Sequence, residues 1–301
     1  MQKTTLERVG LKIGHYTDKT NLTGLTVFVA EKGAEIGIDI RGSSTGSYNT
    51  EAYSNPKAAT RLVQAIVLSG GSSFGLESIF GVMQYLEEKN VGNTVAGAII
   101  PGITGGVIYD LGVGNKSVRP SKNNGYQAAK AASSELPAEG NVGVGTGATI
   151  GKWLDGKPMK GGFGMSEILL PKDILVCAFV VTNPLGDIVN PSTNKFYSEE
   201  GQFDLSGRNI SSFSESVSPA NTTLAVIATN IALNRDQLLK VAEMAQDGMA
   251  RAIFPVHTMG DGDMVFALAS HSGERRTIPN VDESVITDII GLGAADVLAR
   301  L

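Results

Sequence analysis

The sequence predicts a layered α/β protein, strands inside and helices outside, on three observations. Short apolar, β-branched runs recur along the chain, each bounded by Gly, Asn, Asp or Pro as strands are. Between them lie segments whose apolar residues recur at spacings of three and four, the period of an amphipathic helix. The runs are apolar at consecutive positions, so both faces of the sheets must be covered.

The strand runs, in order, are GLTVFVA, AEIGIDI, AIVLSG, TVAGAII, ILVCAFVV, TLAVIATN and DMVFALAS. A helix is expected over 73–89, where Phe74, Leu76, Ile79, Phe80, Met83 and Leu86 form one stripe. A second runs over 234–253, with Leu238, Val241, Ala242, Ala245 and Met249 on one face. Asn234 and Gln237 at its start have capping-box spacing. The segment 282–301 reads as a third helix. From 194 to 220 the chain is rich in Ser, Glu and Gly and weakly periodic, which reads as a long loop of the kind that serves function or moves. It ends at Asn221-Thr222, where the strand TLAVIATN begins. Spacing alone leaves open whether the strands form one sheet or two stacked sheets.

Composition narrows the function classes. At 301 residues with 42% hydrophobic and 18% charged residues, the chain can bury a large core and is not a disordered polymer. Its net charge is −5 and its Lys and Arg form no stripe, which speaks against nucleic-acid binding. No run approaches the roughly 20 apolar residues that span a bilayer, and the first residues lack a signal-peptide core. A cytoplasmic protein without a membrane partner is expected. The single cysteine, Cys177, lies inside ILVCAFVV and reads as a small buried hydrophobe rather than a nucleophile.

Few polar motifs carry chemistry. Asn221-Thr222-Thr223 matches a glycosylation sequon, a loose pattern without a secretion signal. The Gly-rich stretch GNVGVGTGATIGKW fails as a phosphate loop, because position 146 is Thr and no Ser or Thr follows Lys152. Its glycines instead let the backbone pack tightly and leave Lys152 directed into a cavity. In HTMGDGDM, Asp261 and Asp263 alternate, so an extended chain points both carboxylates to one side. Two such charges raise one pKa and favour a shared proton. A calcium loop fails on Val265 and Ala267, and His15 and His271 show no metal-ligand spacing, so neither metal nor cofactor is expected. SGGSSFG is a strand–turn–helix without the spacing of a nucleophile elbow, though its amides suit an oxyanion or anion.

These segments resemble the self-processing L-aminopeptidase/D-esterase (DmpA-like) family, which includes the β-peptidyl aminopeptidases and the nylon oligomer hydrolases. The resemblance runs in order through IDIRGSSTGSYNTE, VLSGGSSFGLE, PGITGGVIYDLG, GNVGVGTGATIGKW, AFVVTNPLGDIVNP, NTTLAVIATN and FPVHTMGDGDMVFA. It implies a four-layer α-β-β-α sandwich resembling the N-terminal-nucleophile hydrolases. It also implies one hydrolase domain, 1–301, cut between Asn221 and Thr222 into an α chain 1–221 and a β chain 222–301. The nucleophile position holds Thr222, and two acidic residues, Asp261 and Asp263, match the nylon oligomer hydrolase branch. Lys152, Asn183 and Tyr109 fall on the remaining site positions, with Asn190 close by in sequence. A homo-oligomer, commonly a tetramer, is implied. So is activity on short amides with a free amine, such as 6-aminohexanoate oligomers. The alternatives are an aminopeptidase for β-amino or small α-amino acids, and an acyltransferase.

Overall fold

The computed structural model describes residues 3–55, 57, 62–153, 158–190, 193, 195–197 and 221–301. The polar stretch 194–220 therefore lies, apart from 195–197, outside the described residues. Nine strands form one continuous sheet. They are β1 (Lys12–Asp18), β2 (Thr23–Ile40), β3 (Ser47–Tyr48), β4 (Val63–Ser69), β5 (Ile103–Val107), β6 (Phe163–Leu170), β7 (Ile174–Asn183), β8 (Thr222–Thr229) and β9 (Met264–Ser270). Four helices cover it: α1 (Glu77–Glu88), α2 (Lys122–Lys130), α3 (Arg235–Ala252) and α4 (Glu283–Ala299).

The strand order is β6–β7–β8–β9–β2–β4–β5–β3, with β1 also on β2; β8/β9 and β4/β5 are parallel and the other pairs antiparallel. The long β2 explains how one sheet becomes two layers. Its first half pairs with β1 and β4, and from Ala34 onward it pairs with β9. The register with β4 shifts between Val29 and Ala34, where Gly33 has φ 81°. A residue without Cβ takes that left-handed turn at little cost, and the strand bends into the second layer.

Alternation along each strand then fills three cores. Leu175, Cys177, Phe179 and Val181 of β7 point into the space between the layers, with Leu224 and Val226 of β8, Phe266 and Leu268 of β9, and Phe28, Ile36 and Ile38 of β2. Phe28 meets Phe179 edge to face at 5.3 Å. The intervening residues Val176, Ala178, Ala225, Ile227, Val265 and Ala267 face outward onto α3 and α4. On the other side Val27, Ala65 and Val67 pack on Ile79, Val82 and Leu86 of α1 and on Ala128 of α2. The layers are thus helix, sheet, sheet, helix. Cys177 lies in the inner core, fully buried, and burial pushes its thiol pKa up, which leaves it unreactive.

Several local expectations hold. Asn234 accepts the Gln237 amide at 2.9 Å and Gln237 Oε1 accepts the Asn234 amide at 2.8 Å, so α3 carries its capping box. Two differ. TVAGAII is not a buried strand but an exposed hairpin, Asn93–Val95 against Ala98–Ile100, because Ala96 and Gly97 both have positive φ and turn the chain. The expected helix over 73–89 opens as a 3₁₀ turn, Ser72–Leu76, before α1 begins.

His15 on β1 makes stability acid-sensitive. Its Nδ1 lies 2.9 Å from Thr26 Oγ1 and its ring stands edge-on to Phe163. Burial lowers its pKa from 6.5 to about 4. Between those values the unfolded chain binds a proton that the folded chain refuses, so stability is full above 6.5 and falls as pH drops toward 4. The loss is of order 3 kcal/mol. Wild type and His15→Gln melted at pH 7 and pH 4.5 are expected to differ: the variant loses less Tm over that interval. Equal losses would reject His15 as the titrating group.

Candidate active site

The candidate residues come from five places in the sequence and meet where β7 ends and β8 and β9 begin. In the antiparallel register Asn183, the last residue of β7, stands opposite Thr222, the first of β8. Asn221 forms a parallel bridge to Asp261, just before β9. Asn183, Asn221, Thr222, Asp261 and Asp263 are all buried. The register of the sheet thus brings Thr222, Asn183 and the Asp261–Asp263 turn together.

The Asn221–Thr222 bond is held from both sides. The Gly262 N–H donates to the Asn221 carbonyl at 2.8 Å, and the Asn221 N–H donates to the Gly260 carbonyl at 3.2 Å. The Thr222 hydroxyl donates to that same Asn221 carbonyl oxygen at 2.5 Å. A Cβ on Gly262 would lie 2.7 Å from Thr222 Oγ1 and 2.8 Å from the Ser44 carbonyl, so only glycine fits this close approach.

Lys152 and Asn183 form a second unit. The Asn183 Oδ1 accepts the Thr149 amide at 3.0 Å and the Lys152 ammonium at 3.0 Å, and the Asn183 carbonyl accepts Lys152 at 3.0 Å. With its oxygen so occupied, the amide is oriented with Nδ2 as the outward donor; it reaches the Tyr109 carbonyl at 3.3 Å. Burial lowers the Lys152 pKa to about 7 against the opposing charges of Asp261 and Asp263. Burial first, and then the charge of Asp263, push the Asp261 pKa up. Asn190 lies outside this cluster, on a short exposed strand pair with Lys195.

Tyr109, Val113, Thr149, Lys152, Met159 and Asn221 border a cavity of about 510 Å³. Beside Tyr109, the buried Asp110 accepts the Thr23 hydroxyl and the Gly71 amide, each at 2.7 Å, and burial raises its pKa. In SGGSSFG the anion that the Gly71 amide holds is thus a carboxylate of the chain itself. The Gly71 amide is taken by Asp110 and the Ser72 amide by the Ile108 carbonyl at 3.0 Å. Those amides fix the segment that carries Tyr109. Sequence reasoning missed Thr149 and the Gly262 amide; GATIGK and Asp-Gly-Asp contain them, but a main-chain donor leaves no residue-type signal.

The model of peptidase family S58 matches residues 8–300. The chain belongs to peptidase family S58. This S58 chain is 36% identical to an uncharacterized aminopeptidase of Mycobacterium leprae, over 97% of its own length and 86% of the relative's. It is 29% identical to a 6-aminohexanoate-oligomer endohydrolase of Paenarthrobacter ureafaciens, over 96% and 82%. Among solved structures it is similar to the L-aminopeptidase D-Ala-esterase/amidase of Ochrobactrum anthropi, an N-terminal-nucleophile hydrolase variant. The TM-score is 0.72 at 15% identity, covering 100% of this chain and 85% of that one. The four-layer fold is that of these hydrolases, and the S58 chain is a peptidase or amidase, a hydrolase of amide bonds.

Proposed function

We propose that the chain cuts itself between Asn221 and Thr222, leaving chains 1–221 and 222–301, and then uses Thr222 to hydrolyse short amides. The observation that carries this is the Thr222 hydroxyl lying 2.5 Å from the carbonyl oxygen of its own preceding residue, with the Gly262 amide on the same oxygen. In the precursor, Oγ1 attacks the Asn221 carbonyl carbon, the C–N bond breaks and the nitrogen takes a proton. Water hydrolyses the resulting ester, giving an Asn221 carboxylate and a Thr222 amine.

That α-amine has an ordinary pKa of roughly 7.7–8.0, so near neutral pH part of it is a base on the same residue as the nucleophile. Asp261 and Asp263 orient it, and Lys152, its pKa lowered by burial to about 7, balances their charge and passes protons. Asn183 Nδ2 and the Gly262 amide hold the oxyanion, and Tyr109 shapes the cavity. The substrate amide loses its amine, an acyl ester forms on Thr222, and water releases the acid.

The cavity wall of Tyr109, Val113, Pro158 and Met159 suits a methylene chain. This supports short ω-amino acid amides with a free amine, 6-aminohexanoate oligomers among them. The second reading is an aminopeptidase for β-amino or small α-amino acids, supported by the name of the mycobacterial relative. Intact mass of the purified chain under denaturing conditions tests the cut: two species dividing after Asn221 are expected, and one full-length inactive species after long incubation rejects it. Turnover of 6-aminohexanoate oligomers against aminoacyl anilides then separates the substrates.

A further inference from the structure

We propose that His257 and Thr258 are positioning residues, one for each aspartate of the site. The proposal rests on the reading of Thr222, Asp261 and Asp263 given above and adds what keeps the two carboxylates in place. His257 donates its main-chain N–H to Asp263 Oδ2 at 3.1 Å, and its ring Nδ1 lies 2.9 Å from the same oxygen. Thr258 repeats the arrangement one residue later: its N–H at 3.0 Å and its hydroxyl at 2.5 Å both donate to Asp261 Oδ2. The other two carboxylate oxygens go to main-chain amides, Oδ1 of Asp263 to Thr223 at 2.7 Å and Oδ1 of Asp261 to Leu185 at 3.0 Å.

Each aspartate thus ties two segments together. Asp263 joins the His257–Thr258 turn to Thr223, the neighbour of the proposed nucleophile, and Asp261 joins that turn to Leu185, whose carbonyl accepts the Lys152 amide at 3.1 Å. The side chains of His257 and Thr258 decide how far each carboxylate can rotate, because two donors on one oxygen fix its plane. His257 adopts φ 56°, in the left-handed region that a non-glycine residue enters at a cost, and in that conformation its amide and ring converge on one oxygen. Nδ1 is the ring nitrogen placed to donate to Asp263, and Nε2 has no hydrogen-bond partner among the described residues. Among the described residues the ring's hydrogen bond is to Asp263, and no group of three metal-ligating side chains surrounds it, so its N–H serves to orient the carboxylate.

The test compares variants that keep the donor with variants that lose it. Asparagine can offer an N–H where His257 Nδ1 stands, and serine keeps the hydroxyl of Thr258; leucine and valine keep bulk without a donor. The full-length chain is followed by intact mass for self-cleavage, and the matured enzyme for kcat and KM. His257→Asn and Thr258→Ser are expected to stay within roughly threefold of wild type, while His257→Leu and Thr258→Val lose about 10–100-fold in kcat with KM nearly constant, as misplacement of reacting groups does. Each aspartate keeps its two amide donors in every variant, so the fold is retained, and the two positions are independent arms. Equal kcat for the donor-keeping and donor-lacking variants at both positions, or a loss confined to KM, overturns the proposal. Thr222→Ala in the same assays separates the two levels. Retained turnover there rejects the nucleophile itself, whereas an inactive Thr222→Ala beside a fully active His257→Leu and Thr258→Val rejects the positioning role only.

Discussion

Thr222→Ala is expected to yield one full-length chain that neither cleaves itself nor hydrolyses amides. The expectation follows from giving one atom two tasks. In the proposed mechanism Oγ1 attacks the Asn221 carbonyl in the precursor, and its residue carries both nucleophile and base afterwards. Loss of the hydroxyl removes the first directly and, by keeping the Asn221–Thr222 bond intact, never releases the second. Among the described residues the other groups of the site are committed elsewhere. Both aspartates already have each oxygen occupied by donors, and Lys152 Nζ is spent on Asn183. The fold should survive, since the hydroxyl bonds only to the adjacent Asn221 carbonyl among its described partners and alanine in a strand costs about 1 kcal/mol at most in intrinsic preference. Intact mass and a thermal melt check both statements. Thr222→Ser keeps the hydroxyl and is expected to retain part of each activity. Turnover by a folded Thr222→Ala would overturn the nucleophile.

How much of this was legible before the fold was known depends on where each signal resides. Apolar runs on both sheet faces declare the layers, because covered strands need them. Asn234 and Gln237 declare the start of α3, because a cap acts over three residues. What no run reveals is that GLTVFVA and AEIGIDI are halves of one strand, β2, since the bend depends on Gly33 and on pairing with β9 more than two hundred residues away. At the candidate site the short motifs drew attention to Thr222 after a polar stretch, Asp261 and Asp263 in alternation and Lys152 after glycines, but their proposed roles came through resemblance. Asn183 and Tyr109 came through resemblance alone, since a lone Asn at a strand end or a lone Tyr after one carries no signal of its own. The Gly262 amide, the Thr149 amide on Asn183 and the amides on the aspartates were invisible, because any residue supplies an N–H and only the register decides where it points.

Gly262→Ala tests that invisible part. The added Cβ would sit 2.7 Å from Thr222 Oγ1 and 2.8 Å from the Ser44 carbonyl, with Thr45 Cα at 3.2 Å. Backbone on one side and the nucleophile on the other leave no direction of relief except to move one of them. The Ser44 segment is the less yielding. Its amide donates to the Asp261 carbonyl at 2.8 Å, its hydroxyl donates to the Met259 carbonyl at 2.8 Å, and the amides of Arg41 and Gly42 donate to the Asp263 carbonyl at 3.1 and 3.2 Å. Thr222 Oγ1 or the Gly262 amide must therefore give way, and each loses its place on the Asn221 carbonyl. Removing one oxyanion donor costs about 2.7–4 kcal/mol of barrier, or roughly 10²–10³ in rate. Overpacking adds about 1–3 kcal/mol of destabilisation, which lowers Tm without unfolding a domain of this size. The expected result is a folded chain that cleaves between Asn221 and Thr222 at least about a hundredfold more slowly than wild type, followed by intact mass over time. Slow cleavage with normal turnover once matured would assign the Gly262 amide to self-processing alone, and equal losses in both would assign it to both oxyanions. Wild-type cleavage rates would remove it from the mechanism.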